Sequence, residues 1–180
     1  MVLHEKGIDF ETCEVDLSHK SEEFLEASPT GKVPVVVMDG DSLYESNVIN
    51  QYLDEVSGEP KLMPEDPKPR AHARIWMAFA DTDFFPALFV ASVGRQRGFT
   101  EERIAEGFER LRTTLKKLER RLEDRDYLAD EFSLADVAHA GNLLRLRELQ
   151  DRGEVSLDEY PNVAGWIERI EERESYRAAV

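Results

Sequence analysis

The chain has a single cysteine, Cys13, in 180 residues, so no internal disulfide can form. That fits a reducing compartment such as the cytoplasm. No apolar run approaches about 18 residues, so no membrane-spanning helix is expected. No basic, apolar leader opens the chain. Positive charge is also in short supply: 23 Lys+Arg face 38 Asp+Glu, for a net charge of −15. A deficit of that size disfavours non-specific binding to nucleic acid or to an anionic membrane, since both need clustered cations. Lysine is scarcer than arginine, a texture that suits a high-salt cytoplasm as well as an ordinary acidic cytosolic protein. The four histidines are scattered, so no metal site is expected. Apolar residues make up 41% and charged residues 34%. This is the composition of a folded, soluble chain with a charged surface, long enough to bury a core without staples.

Two textures divide the chain. Residues 1–58 mix strand and helix patterns, residues 59–68 form a Pro-rich linker, and residues 69–180 read as helix throughout. Prolines 60, 64, 67 and 69 cannot sustain a helix or a central strand. In the first region, Met1–Lys6 reads as a last helical turn stopped by Gly7. The alternation of Cys13, Val15 and Leu17 with Thr12, Glu14 and Asp16 predicts a strand over 8–17. A short helix over 19–27 is expected to turn Phe24 and Leu25 inward. The run 33–38 reads as a buried strand, followed by a tight turn at Asp39-Gly40-Asp41 and a returning strand to Tyr44. Ser46 is expected to cap a helix to about Ser57, with Val48, Ile49, Tyr52, Leu53 and Val56 inward.

The helical half opens with a helix over about 69–93, kinked near Pro86. A second runs over 100–124 with Ile104, Phe108, Leu111, Leu115, Leu118 and Leu122 on one stripe. Ser133 and Asp136 form a capping box for a third. A last helix near 162–174 buries Trp166, Ile167 and Ile170, with Pro161 in its first turn.

Four segments carry more than secondary structure: SPTGKVPVVV (28–37), LYESNVINQYLDE (43–55), FSLADVAHA (132–140) and YPNVAGWIERI (160–170). In this order, around a Pro-rich linker, they resemble the glutathione S-transferase family over nearly the whole chain. The texture is similar to bacterial-type transferases and to stringent-starvation-protein-like relatives. The resemblance implies an α/β thioredoxin-like N-terminal domain, incomplete at its N-terminus, joined to an all-α helical-bundle C-terminal domain.

It also implies a glutathione site. Glu45 would take the γ-glutamyl amine and Ser46 its carboxylate, where a helix start favours an anion. Val33 and Pro34 resemble the family's cis-proline step, which turns the Val33 backbone toward the cysteinyl part of glutathione. Lys32 and His19 are candidates for the glycine carboxylate. His72, Trp76 and Phe79 could line an electrophile pocket between the domains, although an aromatic stripe is more often core. Asp136 is a folding element rather than a ligand contact, and Cys13 reads as a buried, inert thiol.

Family members carry an activating Tyr, Ser or Cys on a loop after a first strand. No such strand or residue is legible in this sequence, and both are expected upstream of Met1. Two functions follow. In one, the chain binds glutathione as substrate and transfers its thiol to an apolar electrophile, as a homodimer in the cytoplasm. In the other, the same scaffold is non-catalytic and acts through protein–protein contacts.

Overall fold

The computed structural model describes residues 1–180. The chain divides into two units, Met1–Leu62 and Met63–Val180. The first contains α1 (Val2–Glu5), α2 (Glu22–Ala27), β1 (Val35–Met38), β2 (Asp41–Tyr44) and α3 (Ser46–Val56). The second contains α4 (Pro67–Phe79), a π-helical turn (Ala80–Phe84), α5 (Phe85–Val93), α6 (Glu101–Arg121), α7 (Leu134–Asp151), α8 (Pro161–Glu171) and α9 (Glu174–Arg177).

In the first unit, local signals act where expected. Gly7 adopts φ +61° after α1. The Gly7 N–H donates to His4 O and the Ile8 N–H to Leu3 O, the paired bonds of a Schellman stop. β1 and β2 form an antiparallel hairpin with Met38 opposite Asp41. The two turn residues, Asp39 and Gly40, both have positive φ, as a tight turn matched to strand twist requires.

Several expectations for this unit are corrected. Residues 8–17 form no strand: the sheet has two strands, and this segment bonds to neither. Alternation alone does not make a strand; its backbone groups need a neighbouring ladder. Phe10, Leu17 and Cys13 are accordingly exposed, so Cys13 is not a buried thiol. The β1 strand starts at Val35 and is not fully buried, since the outward side of a two-stranded sheet leaves Val37 64% exposed. Leu25 points outward while Phe24 is buried. On α3, Ile49 and Leu53 are inward, whereas Val48, Tyr52 and Val56 are exposed. Ser46 is the first residue of α3 rather than its cap; that place belongs to Glu45, with φ +67°.

A polar clasp closes the unit. The Lys6 side chain is fully buried, and its ammonium reaches Asp54 Oδ1 at 2.8 Å, Gly58 O at 2.7 Å and Pro60 O at 2.5 Å. Asp54 Oδ1 also accepts the Leu62 N–H at 2.8 Å. The Lys61 ammonium caps the end of α3 through Asp54 O and Ser57 O. The start of the Pro-rich stretch is thus fastened to α3, and Leu62 is buried.

In the second unit, α5 packs along α6 and α4 along α7. The α6 stripe is buried at Ile104, Leu111, Leu115, Leu118 and Leu122, with Phe108 partly so. The break near Pro86 takes the form of the π turn just ahead of it, where the helix gains room before a residue that lacks an N–H. Taken together, Pro67–Val93 is long and apolar enough to cross a membrane by length and mean hydropathy, which the sequence reading did not anticipate. The π turn carries Asp81 and Asp83, and the stretch packs on α6 and α7, as a core helix of a bundle does.

Asp136 organises the centre of this unit. It is fully buried and accepts from the Ser133 N–H at 2.9 Å, the Leu128 N–H at 3.0 Å, the Ser133 hydroxyl at 3.2 Å and the Trp166 indole N–H at 2.9 Å. Burial pushes its pKa up, against the pull of those four donors. His139, one turn on, is also fully buried. Its Nδ1 lies 2.9 Å from Ala135 O, and Phe84 and Trp166 sit against its ring at 5.3 and 5.6 Å. Its Nε2 has no partner, and burial pushes the imidazole down to about 4.

Candidate functional site

The hairpin register gathers the two motifs of the first unit. Val35 lies opposite Tyr44. Val33-Pro34, entering β1, and Glu45-Ser46, leaving β2, therefore sit at the same end of one hairpin. Adjacent strands in such a ladder are about 5 Å apart, so the two motifs are neighbours.

Each motif is presented outward. The Val33–Pro34 peptide bond is cis. Val33 is half exposed, and its own N–H and C=O bond to nothing within the chain. Glu45 and Ser46 are exposed at the start of α3. The Glu45 carbonyl accepts from the Val48 and Ile49 N–H groups, which opens the helix, while its carboxylate is not consumed as a cap. A helix start with a spare hydroxyl and a neighbouring carboxylate suits a group bearing both an anion and an ammonium.

The turn ahead of Val33 is tightly built. Gly31 has φ +62°, and a Cβ there would come within 3.1 Å of Lys20 Nζ. The Lys20 side chain thus lies across Gly31, next to exposed Lys32. Lys20, not His19, is the side chain that lies on Gly31. In the structure, His19 Nδ1 is 3.2 Å from Asp16 Oδ2, in a local cluster with Ser18. The Ser18 hydroxyl and N–H, together with His19, hold the Asp16 carboxyl below its usual range.

A signal for Lys20 was available. Residues 1–62 contain four lysines, no arginine and fourteen acids. Lys6 and Lys61 are spent on the clasp around Asp54. Lys20 and Lys32 are the lysines left: Lys20 Nζ lies over Gly31, and Lys32 follows it in sequence. In so acidic a unit, two lysines beside one turn offset the surrounding negative charge there.

In the second unit, His72, Trp76 and Phe79 share α4, four and three residues apart. His72 is exposed, while Trp76 and Phe79 are partly buried and meet edge to face at 5.0 Å. Lys117 lies over the Phe79 ring at 5.3 Å and Arg121 over Trp76 at 6.0 Å. Lys117 also pairs with Asp83 at 3.1 Å, and the Thr82 hydroxyl, ahead of Lys117, keeps the Asp83 carboxyl low. A separate cavity of about 310 Å³ lies between the end of α6 and the start of α8, lined by residues including Asp124, Asp126, Asn162 and Arg169. Of the residues named from the sequence, only the structural positions Leu122 and Pro161 line it, and none of the candidate site residues does. No group of three His, Cys, Asp or Glu side chains is placed to hold a metal ion.

Residues 1–61 match the family model for the glutathione S-transferase N-terminal domain, and residues 101–169 match that for its C-terminal domain. The chain belongs to the glutathione S-transferase family. Its fold is the thioredoxin-like N-terminal domain and helical C-terminal domain of that family. It is 33% identical to glutathione S-transferase U26 of Arabidopsis thaliana, over 97% of this chain and 79% of that one. It is likewise 33% identical to glutathione transferase GST 23 of Zea mays, over 99% and 81%. Among solved structures, it is similar to a glutathione S-transferase from Methylobacillus flagellatus with glutathione bound. That match has a TM-score of 0.84 and 31% identity, covering 99% and 90% of the two chains. It is also similar to the beta-etherase LigF from Sphingobium, with a TM-score of 0.85 and 27% identity, covering 98% and 90%.

Proposed function

We propose that the chain binds glutathione at the turn-and-hairpin end of its first unit and delivers the thiol to an apolar electrophile. The observation that carries this reading is the placement of the two spare cations. Lys20 Nζ lies over Gly31 and Lys32 follows it, immediately before the unbonded Val33 backbone, in a unit otherwise dominated by acids. The glycine carboxylate pairs with Lys32 and Lys20, with His19 at the edge of the same loop. The cysteinyl part lies along Val33 and Pro34 as an added strand. The γ-glutamyl amine meets Glu45, and its carboxylate meets Ser46 and the first N–H groups of α3. The bound thiol is then fixed in place, and fixing a nucleophile is a large part of accelerating its attack.

On the electrophile side, His72, Trp76 and Phe79 are the contacts. Homodimerisation in the cytoplasm completes it. It is supported by the exposed Ile75 and Phe85 on the α4–α5 stretch and by a free, exposed Cys13 that suits a reducing compartment.

The test is a thermal melt with and without millimolar glutathione. A ligand that binds only the folded state raises the midpoint by mass action. The expected result is an upward shift that Glu45→Ala abolishes and Lys32→Ala reduces. A cooperative melt that ignores glutathione would sink the reading and favour the scaffold function.

A further inference from the structure

We infer that Ser28 is a positioning residue for the glutathione groove. Its buried hydroxyl closes on both backbone groups of Lys32 and thereby aims the Val33 N–H at the ligand. The inference rests on the glutathione-binding reading above.

Ser28 is fully buried. Its Oγ donates to Lys32 O at 2.8 Å and accepts from the Lys32 N–H at 3.1 Å. The Thr30 hydroxyl, 3.4 Å away, is a further polar neighbour. The main chain of Ser28 is engaged as well. Its N–H donates to Phe24 O at 2.7 Å, closing α2, and its C=O accepts from the Gly31 N–H at 2.8 Å. One residue therefore ties the end of α2 to the turn that enters β1.

The consequence follows from peptide geometry. The Lys32–Val33 bond is not among the cis bonds of the chain, so it is trans. In a trans peptide, the C=O and the following N–H point in opposite directions within one plane. Lys32 C=O is held inward on the buried Ser28 hydroxyl, so the Val33 N–H must point away from it. This matches the absence of any partner for the Val33 N–H within the chain. Rotating that plane would break the Ser28–Lys32 bond and take the acceptor away from the fully buried Ser28 hydroxyl, which costs desolvation free energy. The same clasp consumes the Lys32 backbone, so Lys32 offers a ligand only its ammonium.

The experiment measures glutathione binding by calorimetry for wild type, Ser28→Ala, Ser28→Thr, Lys32→Ala and the Ser28→Ala/Lys32→Ala double variant. Amide exchange at Lys32 and Val33 is read in the ligand-free proteins. Ser28→Ala is expected to weaken binding by about tenfold and to speed exchange at Lys32. Ser28→Thr, which keeps the hydroxyl, should recover most of both effects. The two single losses should not add, because an ammonium on an unclasped turn is no longer held in place. Should Ser28→Ala melt below the assay temperature, Ser28→Cys, a near-isosteric weak hydrogen-bonder, takes its place with the same expectation. Wild-type binding that Ser28→Ala leaves unchanged overturns this inference alone, as does strict additivity with Lys32→Ala. A wild type that ignores millimolar glutathione overturns the groove reading and this inference together.

Discussion

The two units solve the problem of burial differently. The helical unit is held by long apolar stripes, with leucines at zero exposure on α6 and α7 and a buried carboxylate that meets four donors. The first unit buries only Val2, Phe24, Ile49, Leu53 and Leu62 among its apolar side chains. It leaves nine of the chain's thirteen exposed large hydrophobics in the open, from Phe10 to Val56. What it lacks in apolar core it partly replaces with polar fastening, through Lys6 on Asp54 and Ser28 on Lys32. The difference teaches where each unit is brittle. A bundle fails when its centre is opened, and a sparsely cored unit fails when a single ion pair is cut.

The sharpest blow to the helical unit is Asp136→Ala. It strips acceptors from Ser133, Leu128 and Trp166 at once, in a site without water access. A loss of about 4 kcal/mol is expected by urea unfolding. If the variant unfolds within about 1 kcal/mol of wild type, the central role given to this carboxylate is wrong.

Lys6→Met tests the other unit. It leaves Asp54 buried without its cation, and a loss of about 3 kcal/mol is expected. Amide exchange should accelerate over residues 1–62 and not over α6 and α7. Equal acceleration in both would erase the contrast between the units.

A pH series separates them further. The folded pKa of His139, about 4, lies below its unfolded value, so the folded state prefers the neutral ring. The unfolded chain binds the extra proton, and stability falls as pH drops from about 6.5 toward 4, by up to about 3 kcal/mol. The raised Asp136 pKa acts in the opposite sense, its contribution declining as pH rises above the unfolded carboxylate value. His139→Gln should therefore flatten the acid limb of the stability curve in urea titrations from pH 7 to pH 4.5. An unchanged slope would show that the ring does not titrate on unfolding.

The smallest effect is expected at Val37→Thr. Val37 is 64% exposed on the outer side of the hairpin. The midpoint should move by no more than about 0.5 kcal/mol. A larger loss would mean that this face is covered in solution.

Legibility followed the same divide. The helices announced themselves locally: the Ser133–Asp136 capping box, the α6 stripe and the Trp166 helix are read from spacings of three and four residues, and they form as read. The hairpin around Asp39-Gly40 was equally local. The strand over 8–17 was not, because alternation describes a face and says nothing of whether a neighbouring ladder exists. The faces of α3 went astray for a related reason. Five apolar positions were available, and only packing selects Ile49 and Leu53 over Val48, Tyr52 and Val56.

Taken alone, the amino-acid sequence carried the family through the resemblance of its motifs, Val33-Pro34 and Glu45-Ser46 among them, and locally the Gly7 stop, the Ser133–Asp136 capping box and the α6 stripe. The local features rest on short-range chemistry: φ preferences, cap hydrogen bonds and helical period. Only the tertiary structure decided that those motifs meet at one end of a hairpin, that Lys20 rather than His19 lies on Gly31, and that Ser28 closes on Lys32. It alone spent Lys6 on Asp54, forty-eight residues away. Long-range pairings of this kind depend on which groups lose water together, and chain spacing does not carry that information.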